Sequence, residues 1–214
     1  RNDLANKWFL GQNIYVNYDY KFIGVWQTAD STQAKGYGAV PGYARYDDLN
    51  KNGVYDPDDR QLIGSPEPNL TWGFTNTFKY KNFGLFVFMY GKSGVLKSNP
   101  YKDKSYLIQQ NFWTPTNPTN EFWSRSSQAN KYLGKGSTPS VYEKADFVRI
   151  KDITLSYSLP KRASSKIDIN NIRFFITAKN LYTITDWNAL DPELDNQRAI
   201  PLQREFIAGV NIGF

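Results

Sequence analysis

The chain has 214 residues, with 26 Lys and Arg against 20 Asp and Glu, a net charge of +6, and neither His nor Cys. Without His there is no Ser-His-Asp or Cys-His catalytic machinery. Without either residue, zinc, haem and iron–sulfur sites lose their usual ligands, so any metal is expected to be a hard ion held by oxygen.

Six Trp, 15 Tyr and 14 Phe are too many aromatic residues for a disordered chain. No apolar run of about 18 residues offers a membrane helix. A membrane barrel stays open, because its strands alternate lipid-facing and lumen-facing side chains and their average hydropathy stays low. The first segment, Arg1 to Gly11, is polar and lacks the apolar core of a secretory leader. A processed chain, or an internal or C-terminal piece, is therefore expected.

Side-chain alternation of period two dominates the pattern. It predicts strands over Ile14–Trp26, Thr71–Tyr80, Phe83–Gly91, Ala145–Leu159, Asn171–Tyr182 and Gln203–Phe214. Between the first two lies Gly36-Tyr37-Gly38-Ala39-Val40-Pro41, which begins like a dinucleotide fingerprint but ends in Pro with no βαβ unit around it.

The stretch Asp48-Leu49-Asn50-Lys51-Asn52-Gly53-Val54-Tyr55-Asp56-Pro57-Asp58-Asp59 is more specific. Asp48, Asn50 and Asn52 supply side-chain oxygens at positions 1, 3 and 5, Gly53 allows the sharp turn, Val54 offers its carbonyl and Asp59 closes the shell. This is the ligand ladder of an EF-hand-like loop for calcium or another hard divalent cation. Asp in place of a bidentate Glu, and two Asn in place of carboxylates, point to weak affinity. The alternative is an Asx-rich turn that holds no ion.

In Thr71–Tyr80 the residues Trp72, Phe74, Phe78 and Tyr80 share one face. Lys81-Asn82 then makes a very short hairpin connection to the next strand. Lys92–Lys144 is a long connection rich in Pro, Asn and Ser. Short turns on one side and long loops on the other is the asymmetry of outer-membrane barrels. Trp113, Trp123 and Trp187 fall in loop-like stretches, where they either present flat rings to a sugar or peptide ligand or pack the loops on one another. In Phe147–Leu159 simple alternation sets Phe147, Arg149, Lys151, Ile153, Leu155 and Tyr157 against Val148, Ile150, Asp152, Thr154, Ser156 and Ser158. The last strand is the cleanest, with Phe206, Ala208, Val210, Ile212 and Phe214 on one face.

Other constellations are weaker. Basic residues are scattered, which argues against a nucleic-acid surface. Glu67, Glu121, Asp191 and Glu193 could supply a glycosidase pair only if two of them met, and nothing in the sequence brings them together. Asn69-Leu70-Thr71 is an isolated glycosylation triplet.

The run Tyr18-Asp19-Tyr20-Lys21-Phe22-Ile23-Gly24-Val25-Trp26-Gln27 resembles SusC/RagA-type TonB-dependent outer-membrane transporters. So do Pro41-Gly42 with the Asp48–Arg60 loop, Ile63–Pro68, Phe112-Trp113-Thr114-Pro115, Ala145–Pro160, Thr177–Thr183 and Asp191-Pro192-Glu193, in that order. The resemblance implies an all-β chain: an antiparallel transmembrane barrel of 22 strands plugged by an N-terminal domain, importing oligosaccharides or peptides with TonB-derived energy. It also implies a SusD-like surface lipoprotein as partner and the outer membrane of a Gram-negative bacterium as location. Residues 1–214 would be the C-terminal part of that barrel, about six to eight strands. The plug is absent from them, and the rest of the barrel, membrane lipid and TonB contact through the plug lie beyond this chain. Phe206, Val210, Ile212 and Phe214 would carry the barrel-assembly signal. The rival is a soluble, calcium-stabilised adhesion or carbohydrate-binding β-domain; a surface hydrolase ranks last.

Overall fold

The computed structural model describes residues 2–99, 111–124, 141–161, 169–194 and 199–213. It divides the chain into two compact units. The first comprises residues 1–67 and 95–144, the second residues 68–94 and 145–214.

In the first unit the expected strand Ile14–Trp26 is two short strands. β1 (Asn17–Tyr20) pairs with β4 (Arg60–Gly64), and β2 (Phe22–Val25) pairs with β3 (Ala44–Tyr46), both antiparallel. The break falls at Lys21, where the chain passes from β4 to β3 as its partner; within β2 the register shifts again between Phe22 and Gly24, which sits at φ 141°. A short helix α1 (Ser31–Gly36) follows β2. Two further strands, β7 (Leu96–Ser98) and β8 (Tyr142–Lys144), pair within this unit. Its core is aromatic. Tyr46, Trp113, Phe122 and Trp123 are buried with Val25, Ala44 and Val141, and Trp26 is buried with Ala34 and Ala39.

The second unit is one antiparallel sheet of five strands: β5 (Leu70–Tyr80), β6 (Phe83–Ser93), β9 (Phe147–Ser158), β10 (Asn171–Thr185) and β11 (Glu205–Gly213), in the spatial order β11-β10-β9-β6-β5. Among the described residues the wall-like sheet thus has five strands, not six to eight, because Ile14–Trp26 folds elsewhere. The two-residue turn Lys81-Asn82 lies at one end of the sheet. The long connections from β6 to β9 and from β10 to β11 leave from the other end.

Cross-strand partners share a face, so the register sorts every side chain. One face is made of the rows Trp72–Gly91–Val148–Ile184, Phe74–Met89–Ile150–Tyr182, Asn76–Val87–Ile153–Ala178–Phe206, Phe78–Leu85–Leu155–Ile176–Ala208 and Tyr80–Phe83–Tyr157–Phe174–Val210. These rows hold no charged residue. The intervening rows carry Lys79, Lys92, Arg149, Asp152, Arg173, Lys179 and Glu205 among Thr, Ser and Gly, together with the rings of Phe86, Phe88, Tyr90, Phe147 and Phe175 and with Ile207.

Simple alternation fails in one place. β9 has an extra residue at Lys151, because Phe88 pairs with Asp152 while its neighbour Met89 pairs with Ile150. The bulge switches parity, so Val148 and Ile150 share the apolar face with Ile153, Leu155 and Tyr157, while Arg149 joins Asp152, Thr154 and Ser156. β10 answers with its own irregularity between Lys179 and Tyr182, where Asn180 adopts a left-handed φ of 50°.

Gly42 tests the packing of the first unit. It sits at φ 89°, and a Cβ built there would lie 2.5 Å from Cε3 of Trp113. Gly42→Ala is expected to destabilise the protein by about 2–4 kcal/mol, through overpacking and a left-handed backbone that a side chain disfavours. Denaturant unfolding in detergent, followed by Trp fluorescence, measures it.

Candidate functional site

The oxygen-rich loop closes on itself. Oδ2 of Asp48 accepts the Gly53 N–H at 2.9 Å and the Tyr37 hydroxyl at 2.8 Å. Asp59 is fully buried and accepts the backbone N–H groups of Leu49 at 2.9 Å and Asp56 at 3.0 Å. Asn50 Oδ1 accepts the Asn52 N–H, and Asn52 Oδ1 accepts the Val54 N–H. The first and twelfth positions are thereby drawn onto one loop, with the chain turning at Gly53, φ 83°. Burial works to raise the Asp48 pKa. The N–H groups of Gly53, Lys51 and Asn52 and the Tyr37 hydroxyl outweigh it and hold the carboxyl below its ordinary 3.8. Tyr37 responds in the opposite sense, its pKa raised chiefly by the hydrogen bond to Asp48.

The loop rests on an aromatic stack. Tyr37 packs on Tyr55 at 4.9 Å and on Trp26 at 5.4 Å between ring centres, and Arg45 lies 4.5 Å over the Trp26 ring. The Tyr55 hydroxyl accepts the Tyr46 N–H, and burial pushes its pKa up to about 12. Trp113 and Trp123 belong to the same unit and are buried, and Trp113 donates its indole N–H to Gln27 at 2.8 Å. Trp187, in the second unit, is buried as well. All three rings are buried, Trp113 and Trp123 within the aromatic core of the first unit.

The second unit gathers a cluster that spacing alone did not reveal. Arg149, 1% exposed, donates from Nη2 to Asp191 at 2.8 Å and from Nε to Thr183 at 2.9 Å, and its Nη1 lies 3.1 Å from Glu193. Lys92 stands 3.4 Å from Glu193, and the Tyr90 hydroxyl donates to the same carboxylate. Asp191 and Glu193 thus do come together, but around a guanidinium and not as a free acid–base pair. Period-two counting carries no signal for them, because the parity switch that places Arg149 beside Tyr90 on the polar face shows only in the strand register. Glu67 and Glu121 do not join this cluster. Of the expected assembly-signal residues, Phe206, Val210 and Ile212 are on the apolar face, 72%, 49% and 51% exposed; Phe214 lies outside the described residues.

A sheet with all its charges on one face and an exposed apolar opposite face is the pattern of an antiparallel membrane-barrel wall. Comparison with known proteins agrees. No family model matches the chain. TonB-dependent receptor P3 of Formosa agariphila is 30% identical over 229 residues, covering 95% of this chain and 22% of that protein. TonB-dependent receptor P26 of the same organism is 28% identical over 198 residues, covering 87% of this chain and 20% of that protein. The chain therefore spans about a fifth of the length of the curated relatives it matches. Among solved structures, the RagAB peptide transporter aligns with a TM-score of 0.69 at 21% identity, over 93% of this chain and 23% of that one. The RagAB peptide importer in its open-open state aligns at 0.67 and 20% identity, over 93% of this chain and 22% of that one. The chain is homologous to TonB-dependent receptors, and its sheet shares the fold of part of the RagAB barrel. That homology places it in the outer membrane of a Gram-negative bacterium.

The Asp48 loop makes a pH prediction. Because its folded pKa is depressed, Asp48 contributes stability that is complete above about 3.8 and is lost as pH falls through the lower folded value. Acid titration is expected to open the loop below pH 3.8, read by Tyr and Trp fluorescence. In Asp48→Asn that acid transition should flatten.

Proposed function

We propose that this chain builds wall and extracellular loops of an outer-membrane TonB-dependent importer of oligosaccharides or peptides. In this reading residues 1–214 are the C-terminal part of a 22-stranded barrel, the plug lies outside them, and a SusD-like lipoprotein closes over the mouth. The observation that carries it is the face sorting of the five-stranded sheet. Phe74, Phe78, Ile176, Ile184 and Phe206 are each at least half exposed, and no charge interrupts their rows. So large an apolar surface suits hydrocarbon and not water. Trp72 and Tyr182 toward one end, and Tyr80, Phe83, Tyr157 and Phe174 at the other, match the aromatic girdles of the two membrane interfaces. The unpaired edges of β5 and β11 are where the rest of the barrel adds its strands. Phe206, Val210, Ile212 and Phe214 serve as the signal read during barrel assembly.

Neighbouring positions on β11 test the reading. Ala208→Arg, on the apolar face, is expected to cost about 2–4 kcal/mol near the bilayer midplane and to deplete folded protein in the outer membrane. Asn211→Arg, exposed on the opposite face, is expected to leave the yield unchanged. Equal yields from the two variants would refute a lipid-facing wall. Growth on oligosaccharides or peptides as sole nutrient, with and without TonB, separates import from adhesion.

The Asp48 loop in this reading holds a calcium ion that stiffens an extracellular loop and takes part in no chemistry. Asp48, Asn50, Asn52, Asp59 and the Val54 carbonyl are hard oxygen donors, which suits that ion. No group of three or more acidic side chains suited to a metal occurs among the described residues, so two carboxylates with amide and carbonyl oxygens supply the affinity. Calorimetry with calcium is expected to give a weak heat of binding that Asp48→Ala abolishes; no heat from the unmutated protein removes the ion.

A further inference from the structure

Three donors on the polar face of β6 and β9 converge on one carboxylate. Tyr90 and Arg149 are cross-strand partners, and Lys92 is two residues further along β6 on the same face. Oε2 of Glu193 takes the Tyr90 hydroxyl and lies 3.1 Å from Arg149 Nη1, while Oε1 lies 3.4 Å from Lys92. One oxygen thus accepts the Tyr90 hydroxyl, and each oxygen lies within ion-pair distance of a cation, a setting that favours a carboxylate.

The carboxylate that fills this arrangement comes from neither strand but from the connection that follows β10. Its neighbour Asp191 is held differently. The side chains of Arg149 and Asp191 are 1% and 8% exposed and their contact is 2.8 Å, whereas those of Glu193 and Lys92 are 20% and 34% exposed. The cluster has an inner, closed ion pair and an outer, solvent-facing one. Removing Glu193 would leave Arg149 still paired with Asp191 and bonded to Thr183, and the Tyr90 ring still packed on Phe147 and Phe88.

We propose that Tyr90, Lys92 and Arg149 form a carboxylate-binding seat on the polar face, that Glu193 fills it in this conformation, and that an acidic cargo takes it by displacing Glu193. The proposal rests on the polar face being the barrel interior. A tethered partner has an effective concentration on the order of millimolar. A lone carboxylate that binds more weakly than this cannot displace Glu193, whereas a ligand with several carboxylates can, so the occupied seat favours polyacidic cargo. Displacement also removes the Glu193 contacts of the connection that follows β10.

The test uses protein extracted from the outer membrane in detergent, with tetraglutamate as probe and tetraglutamine as its neutral control, both followed by calorimetry. Glu193→Ala is expected to bind tetraglutamate about tenfold or more tightly than the unmutated protein, because the tethered competitor is gone. Tetraglutamine binding is expected to be unchanged, and adding Lys92→Gln to Glu193→Ala should erase the gain. Hydrogen exchange of β6 and β9 verifies that each variant keeps its sheet. Equal affinity of tetraglutamate for Glu193→Ala and the unmutated protein, or a gain shared by tetraglutamine, overturns the seat. The measurement needs neither TonB nor a membrane potential, so a failed import assay bears on the transport reading alone.

Discussion

Keeping every charge of the five-stranded sheet on one face is the constraint from which the rest of the second unit follows. In the proposed lipid-facing wall, a charged side chain facing hydrocarbon would cost kilocalories, and an unpaired backbone amide there a comparable amount. The ladder must therefore be continuous and its parity consistent from β5 to β11. The chain satisfies both demands at once, at the expense of a perfect alternation in sequence. Lys151 is the extra residue of β9 that lets Ile150 and Ile153 face the same way, although they are three positions apart. Without that bulge the C-terminal half of β9 would turn Asp152 and Thr154 toward the apolar side.

The same residue marks where sequence reasoning stopped. The long strands are legible within two or three residues, because Thr71–Tyr80 and the final strand largely alternate and Phe83–Gly91 is a short apolar and aromatic run bounded by a turn. A bulge is invisible to a period-two count, since the count assumes the very regularity that the bulge breaks. Reading β9 with strict alternation put Arg149 beside Ile153 and Leu155, and hid its meeting with Tyr90. Ile14–Trp26 was missed for a related reason. Its residues favour extended backbone throughout, but the choice of partner strand changes at Lys21, and partner choice is a tertiary property. Family resemblance, carried by motifs in order along the chain, reached further than periodicity could.

In the first unit the loop and the core are one object. Asp48 and Asp59 organise backbone N–H groups at the two ends of the loop, and Tyr37 ties Asp48 to the aromatic stack that contains Trp26. The three tryptophans of ambiguous role illustrate how local composition misleads. Pro, Asn and Ser around Trp113 and Trp123 suggest an exposed loop, but these polar residues bond to one another and to backbone, as in Asn117 Nδ2 to Phe112 O at 2.8 Å. Their polarity is spent within the loop, which leaves the rings free to pack inward.

The chain order of the sheet has a kinetic meaning. β5 and β6 are joined by the two residues Lys81 and Asn82, a connection that closes on the microsecond scale. β6 and β9 are adjacent in space, yet the segment between them contributes β7, β8 and much of the aromatic core of the first unit. Bringing those two strands together carries the entropy of closing a long loop, and that cost shrinks once the inserted segment has condensed into a compact body. Prior collapse of the inserted segment therefore shortens the search, and the hairpin waits for it as a ready template.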